Sequence, residues 1–129
     1  MAPITALYGS LAGILLLVFA SYAIVMRGRR RVGLGDGGDP AMLCAIRIHG
    51  NAAEYIPITV ILMALFELLH GSPTALHVAG LCMVIGRIAH AIGLAGSANT
   101  SIGRLLGITS AFVAILIPAI GSLTKLFAT

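Results

Sequence analysis

Three polar residues in an apolar stretch, Arg47, Asn51 and Glu54, give this sequence its first chemical signal. Their i, i+4, i+7 spacing belongs to one face of a helix. At 100° per residue, Asn51 falls about 40° from Arg47 and Glu54 about 20° to the other side. Arg87 and His90 share a face in the same way at i, i+3, and Arg104 adds a further guanidinium. Arg47, Arg87 and Arg104 set against Glu54 leave a surplus of two positive charges (three minus one). Guanidinium forks fit carboxylate and phosphate, so the set points to an anionic ligand. A plainer reading of two members is a buried Glu54–Arg87 ion pair that holds helices together. It leaves Arg47 and Arg104 unexplained.

The setting makes these charges expensive. The chain has 129 residues, 59% of them apolar and 9% charged, whereas a soluble domain averages about a quarter charged residues. That balance excludes a soluble enzyme, a nucleic-acid binder and a disordered tail. A membrane-spanning helix needs about 20 residues, and the sequence divides into four such segments: residues 4–26, 41–70, 74–96 and 102–127. The expected fold class is therefore all-α, a polytopic membrane protein whose single domain is a bundle of four transmembrane helices. An ionisable group at mid-depth costs about 2.5 kcal/mol or more on insertion scales. Such groups persist when they pair, face a water-filled cavity or do chemistry.

The charges also suggest a topology. Arg27, Arg29, Arg30 and Arg31 directly follow the first apolar run, which the positive-inside rule reads as a cytoplasmic loop. Counting spans puts Arg104 on that side too, with Lys125 and both termini outside. The net charge of +4 thus reports topology and not nucleic acid. Basic residues follow the first apolar stretch instead of preceding it, so a cleavable signal peptide is not expected. Residues 33–40 read as a turn-rich loop leading into a helix at Asp39-Pro40. The joins at Gly71-Ser72-Pro73 and at residues 97–101 are short. Pro57 and Pro118 fall within the second and fourth segments, where a kink is expected and not a break. Gly80, Gly86, Ala89 and Gly93 on the third, with Gly103 and Gly107 on the fourth, give small-residue spacings that bring helix backbones close.

The remaining candidates have simpler expectations. Cys44 and Cys82 lack metal-ligand spacing and read as reduced packing residues. His49 reads as an interfacial or packing histidine, and His70 and His77 as solvated beside the outer turn. The histidines show no HxxxH spacing, so no metal centre is expected. Glu67 and His70, at i, i+3, read as a surface pair of little worth.

The stretch from Arg47 to Pro57 (RIHGNAAEYIP) contains the pattern RxxxNxxEY followed by proline. It resembles the second-helix signature of the MAPEG family, the membrane-associated proteins in eicosanoid and glutathione metabolism. Gly86-Arg87-Ile88-Ala89-His90 is similar to the family's third-helix segment, and Arg104 falls where a fourth-helix arginine is expected. Gly35-Asp36-Gly37-Gly38 together with the RIHGN motif is most similar to the bacterial YecN-like branch. The resemblance covers essentially the whole chain. It implies a homotrimer in the bacterial inner membrane, with glutathione as a substrate bound between protomers near the cytoplasmic side. Arg47, Asn51, Glu54 and Tyr55 would hold glutathione, Arg87 and His90 would line the third-helix side, and Arg27 would reach it from the first loop. Arg104 would stabilise the thiolate for attack on a lipophilic small molecule dissolved in the bilayer. In one respect the sequence departs from the pattern. Several members place a tyrosine one turn after the third-helix segment, where Ala91, Gly93 and Leu94 stand here. The same scaffold without turnover, holding an anionic lipid or metabolite, is the alternative from another class. A small multidrug-type exporter, the third reading, is disfavoured because residues 4–26 carry no carboxylate.

Overall fold

The computed structural model describes residues 1–96 and 101–128. Among these are four helices: α1 (Pro3–Arg30), α2 (Pro40–Leu68), α3 (Pro73–Gly96) and α4 (Ile102–Phe127). Each is long and apolar enough to cross a membrane. The join expected at residues 97–101 lies outside the described residues except for Ser101.

Local sequence chemistry sets the ends. Asp39 caps α2 by accepting from the backbone N–H of Ala41 at 2.8 Å and of Met42 at 3.4 Å, and Pro40 fills the first turn, where no donor is missed. Ser101 caps α4 by accepting from Arg104 N at 3.3 Å. The largest departure from expectation is at the end of α1. The helix continues through Arg27, Arg29 and Arg30 and stops at Arg31, whose φ of 55° is left-handed. Arginine is a strong helix former, and cations in a last turn face the negative end of the helix dipole. A positive-inside cluster can therefore be the last turn of a helix as well as a loop. Gly35, Gly37 and Gly38 in the following loop all have positive φ, as a tight turn requires. α2 stops at Leu68, slightly before the expected 70, because His70 takes φ 54°. Neither Pro57 nor Pro118 ends its helix.

The helices run alternately up and down. One end of the bundle carries both described chain ends and the α2–α3 turn (the termini end). The other carries the α1–α2 loop and the start of α4 (the loop end). α3 and α4 form the tightest pair, and glycine makes the approach possible. A Cβ built on Gly86 would sit 2.6 Å from Ser110 Cβ, and one on Gly93 would sit 2.7 Å from Arg104 N. On α4, a Cβ on Gly103 would meet the Ala89 carbonyl at 2.9 Å, and one on Gly107 would run into His90. Gly86, Ala89, Gly93, Gly103 and Gly107 thus form a close α3–α4 seam, whose helices gain dispersion contacts along their length, whereas Gly80 admits the Tyr8 ring of α1. The core between α1, α2 and α3 is filled by Tyr8, Phe19, Ile48, Ile56, Met63, Leu76 and Met83. Half-buried Cys44 and Cys82 are free thiols packed against it.

The termini end is fastened by polar contacts over long sequence separations. The Glu67 carboxylate accepts from the backbone N–H groups of Ile4 at 2.9 Å and Thr5 at 2.7 Å. It caps the first turn of α1 from another helix. This corrects the expected Glu67–His70 surface pair. Glu67 points along the bundle to the uncapped start of α1, where Ala2 supplies no side-chain cap. His77 is exposed as expected, but its Nδ1 lies 3.0 Å from the Tyr8 hydroxyl, the two rings meeting edge to face. His70 is also exposed, and its carbonyl accepts from Lys125 Nζ at 3.0 Å.

Candidate functional site

The polar residues of the α2 stripe stand on one face. Arg47 Nη1 donates to Glu54 Oε1 at 3.3 Å, and the two side chains keep 47% and 54% of their surface exposed. The pair spans two helical turns across Gly50, where a built Cβ would come within 3.6 Å of the Arg47 guanidinium. Asn51 lies between them, its Nδ2 donating to the Arg47 carbonyl at 2.8 Å. The expected stripe is thus present, and it faces outward from the four-helix bundle.

Arg87 takes the opposite position. It is 3% exposed, wedged from α3 towards α2 and α4. Its Nη2 donates to the Gly107 carbonyl, and its guanidinium carbon lies 5.2 Å from the centre of the Tyr55 ring, within cation–π range. Tyr55 in turn meets the Phe112 ring at 6.4 Å between centroids. Nε and Nη1 of Arg87 are buried with no hydrogen-bond partner among the described residues. The plainer reading, a buried Glu54–Arg87 ion pair, is not what forms. Successive helix residues diverge by 100°, so when Tyr55 faces Arg87 its neighbour Glu54 faces away, and Arg47 takes it.

His90, one turn beyond Arg87, is buried beside Gly107. Arg104 is half-buried in the first turn of α4, where its backbone N meets the seam opposite Gly93. Ser101 both caps this turn and donates through Oγ to the Gly93 carbonyl at 3.1 Å, tying the starting end of α4 to α3. Sequence reading missed Ser101, although serine ahead of an apolar run is a cap signal. Arg27 is brought to a different place. It donates through Nη1 to the Gly35 carbonyl at 2.9 Å and shares a cleft between α1 and α2 with His49. His49 lies about 200° around α2 from Arg47, so that cleft and the stripe occupy different faces.

The arrangement comprises an outward stripe with a cation and a carboxylate, a buried arginine with spare donors, and a third arginine at the end of a rigid seam. The model of the MAPEG family matches residues 5–124. The chain belongs to the MAPEG family. Curated relatives called "Inner membrane protein YecN", from two strains of Escherichia coli, are each 40% identical over 90 residues, covering 70% of this chain and 69% of the relative. As a MAPEG membrane protein, the chain sets Arg47, Asn51 and Glu54 on one helix face and Arg104 at the end of the α3–α4 seam. The third-helix positions that depart from the pattern have structural uses here. Leu94 is buried in the core and Gly93 belongs to the MAPEG chain's α3–α4 seam.

Proposed function

We propose that this protein is an inner-membrane homotrimer that binds glutathione and transfers it to, or reduces with it, a lipophilic electrophile. One observation carries the reading: the half-exposed Arg47–Glu54 pair on the outer face of a helix apolar enough to span the bilayer. Lipid is a poor neighbour for that face. A second copy of the chain, together with a zwitterionic and anionic guest, covers it. Glutathione carries one amino group and two carboxylates, which suit Glu54 and Arg47 with Asn51 between them. Tyr55 extends the wall beside the stripe, and Arg87 and His90, buried behind it, act on the guest through their positive field and through the Tyr55 ring. A free thiol has a pKa near about 8.5, so at neutral pH little of it is the nucleophilic thiolate. Arg104 stabilises the thiolate electrostatically in a low-dielectric setting, and the thiolate attacks a bilayer-dissolved electrophile.

The test is calorimetric binding of glutathione to the purified protein, followed by conjugation assays with wild type and Arg104→Ala. Binding in the micromolar to millimolar range and thiolate absorbance that appears at lower pH in wild type than in Arg104→Ala support the proposal. No binding up to high millimolar glutathione refutes it. A second reading rests on Ala91, Gly93 and Leu94, which supply no hydroxyl where other members place tyrosine. There the scaffold holds an anionic metabolite or lipid without turnover. Binding that Arg47→Ala abolishes, with no product from any electrophile in a broad panel, selects it.

A further inference from the structure

The two charges of the α2 stripe are closed on each other. Arg47 Nη1 lies 3.3 Å from Glu54 Oε1, although the residues stand seven positions apart. At 1.5 Å per residue their backbones are roughly 10 Å apart along the axis, so the two side chains lie along the helix to meet. Gly50 sits beneath the meeting point. A Cβ built there would be 3.6 Å from Arg47 Nη1 and 4.0 Å from Glu54 Oε1. A position without a side chain thus lets the pair lie flat, and both partners stay half-exposed, within reach of a guest.

We infer that the Arg47–Glu54 pair is a self-closed latch that admits guests carrying an ammonium and a carboxylate well apart, and rejects guests carrying an anion alone. The latch rests on the glutathione reading, which places a guest at this stripe. An anion that takes Arg47 must part it from Glu54. In apolar surroundings the abandoned carboxylate destabilises that complex, because breaking one partner out of a desolvated pair leaves an uncompensated charge. A guest with an amino group supplies Glu54 with a new cation, and both charges stay compensated. Spacing is a second filter. Once parted and pointing straight out, the guanidinium and the carboxylate stand roughly 10 Å apart, and an extended chain covers about 3.5 Å per residue. A guest of about three residues reaches both groups. A single amino acid, whose two charges are neighbours, does not.

The experiment uses the full-length protein in a neutral detergent. Calorimetry compares glutathione, N-acetylglutathione (its amino group blocked) and glycine on wild type and on Glu54→Gln. Wild type binds glutathione at least about tenfold more tightly than N-acetylglutathione, the scale of one charge left without its partner. It binds glycine more weakly still. Glu54→Gln frees Arg47, so N-acetylglutathione binds the variant at least about threefold more tightly than wild type, and the preference for glutathione disappears. In the absence of ligand, phenylglyoxal labels Arg47 faster in Glu54→Gln, as located by peptide mass spectrometry. Equal weakening of both glutathione ligands by Glu54→Gln overturns the latch, since Glu54 then never competes with the guest. Equal affinity of wild type for those two ligands overturns it as well, and glycine binding as tight as glutathione removes the spacing filter and overturns it too. Unchanged labelling in Glu54→Gln shows that the pair does not hold Arg47 and overturns it directly. If wild type binds none of the three ligands, the glutathione reading fails; faster labelling then makes the pair a contact of the fold alone, which overturns selection by the latch. If Glu54→Gln does not fold, Glu54→Asp keeps the charge but shortens its reach, and labelling no faster than wild type overturns the latch.

Discussion

The two ends of the bundle use their polar residues differently. At the termini end the charged and aromatic polar side chains are spent on the fold, although the buried Thr5 and Ser122 hydroxyls have no partner among the described residues: Glu67 caps α1, Tyr8 meets His77, and Lys125 reaches the His70 carbonyl. Towards the loop end, the Arg47–Glu54 pair stands half-exposed, and buried Arg87 keeps two N–H-bearing nitrogens without partners. Polar groups that close contacts within a protomer explain themselves by stability. Polar groups that leave donors over in a membrane protein need a guest or a second subunit to explain them.

This contrast can be broken by separating stability from binding. The largest effect is expected for Arg104→Ala, which lowers the conjugation rate by about a hundredfold, the scale of one electrostatic stabiliser of developing charge. Arg104→Lys, which keeps the cation, recovers most of that rate. Glu67→Ala does the reverse: it leaves two backbone donors of α1 uncapped and costs about 2 kcal/mol in reversible unfolding. Glutathione affinity measured by calorimetry does not change. A loss of binding equal to that of Arg47→Ala would erase the distinction between the ends. Tyr8→Phe removes one neutral hydrogen bond and costs about 1 kcal/mol by the same unfolding measurement. Arg87→Met is the sharpest discriminator although its stability effect is the smallest. Exchanging a buried, partly satisfied cation for an apolar side chain of similar length leaves stability within about 1 kcal/mol or raises it. Ligand affinity falls nonetheless. A marked destabilisation by Arg87→Met would assign that arginine to the fold.

Much of this was legible in the sequence because hydrophobic length is a local property. The four spans were located to within a few residues, and α4 matches its expected range of 102–127. The seam was legible too, since glycine and alanine at helical spacing have few other uses at a helix contact. What escaped depended on distance along the chain. Glu67 is 62 and 63 residues from the two N–H groups it caps, and no local pattern announces such a partner. The arginine cluster is ambiguous in sequence because charge suits a loop and a helix end alike, and α1 carries Arg27, Arg29 and Arg30 in its last turn. For the candidate site, periodicity correctly grouped Arg47, Asn51 and Glu54. It could not say that Glu54 turns to Arg47 and leaves Arg87 to Tyr55 and the Gly107 carbonyl, because that choice depends on how α2 is rotated against its neighbours.

The glycine seam has a mechanical consequence. Where two backbones approach this closely, little side-chain length is left between them to flex and open a gap, so α3 and α4 behave as one stiff plank. α1 is held far more lightly, with 11% of its apolar window buried against 44% for α3. Any loosening of the bundle would begin along α1 and not between the two planked helices.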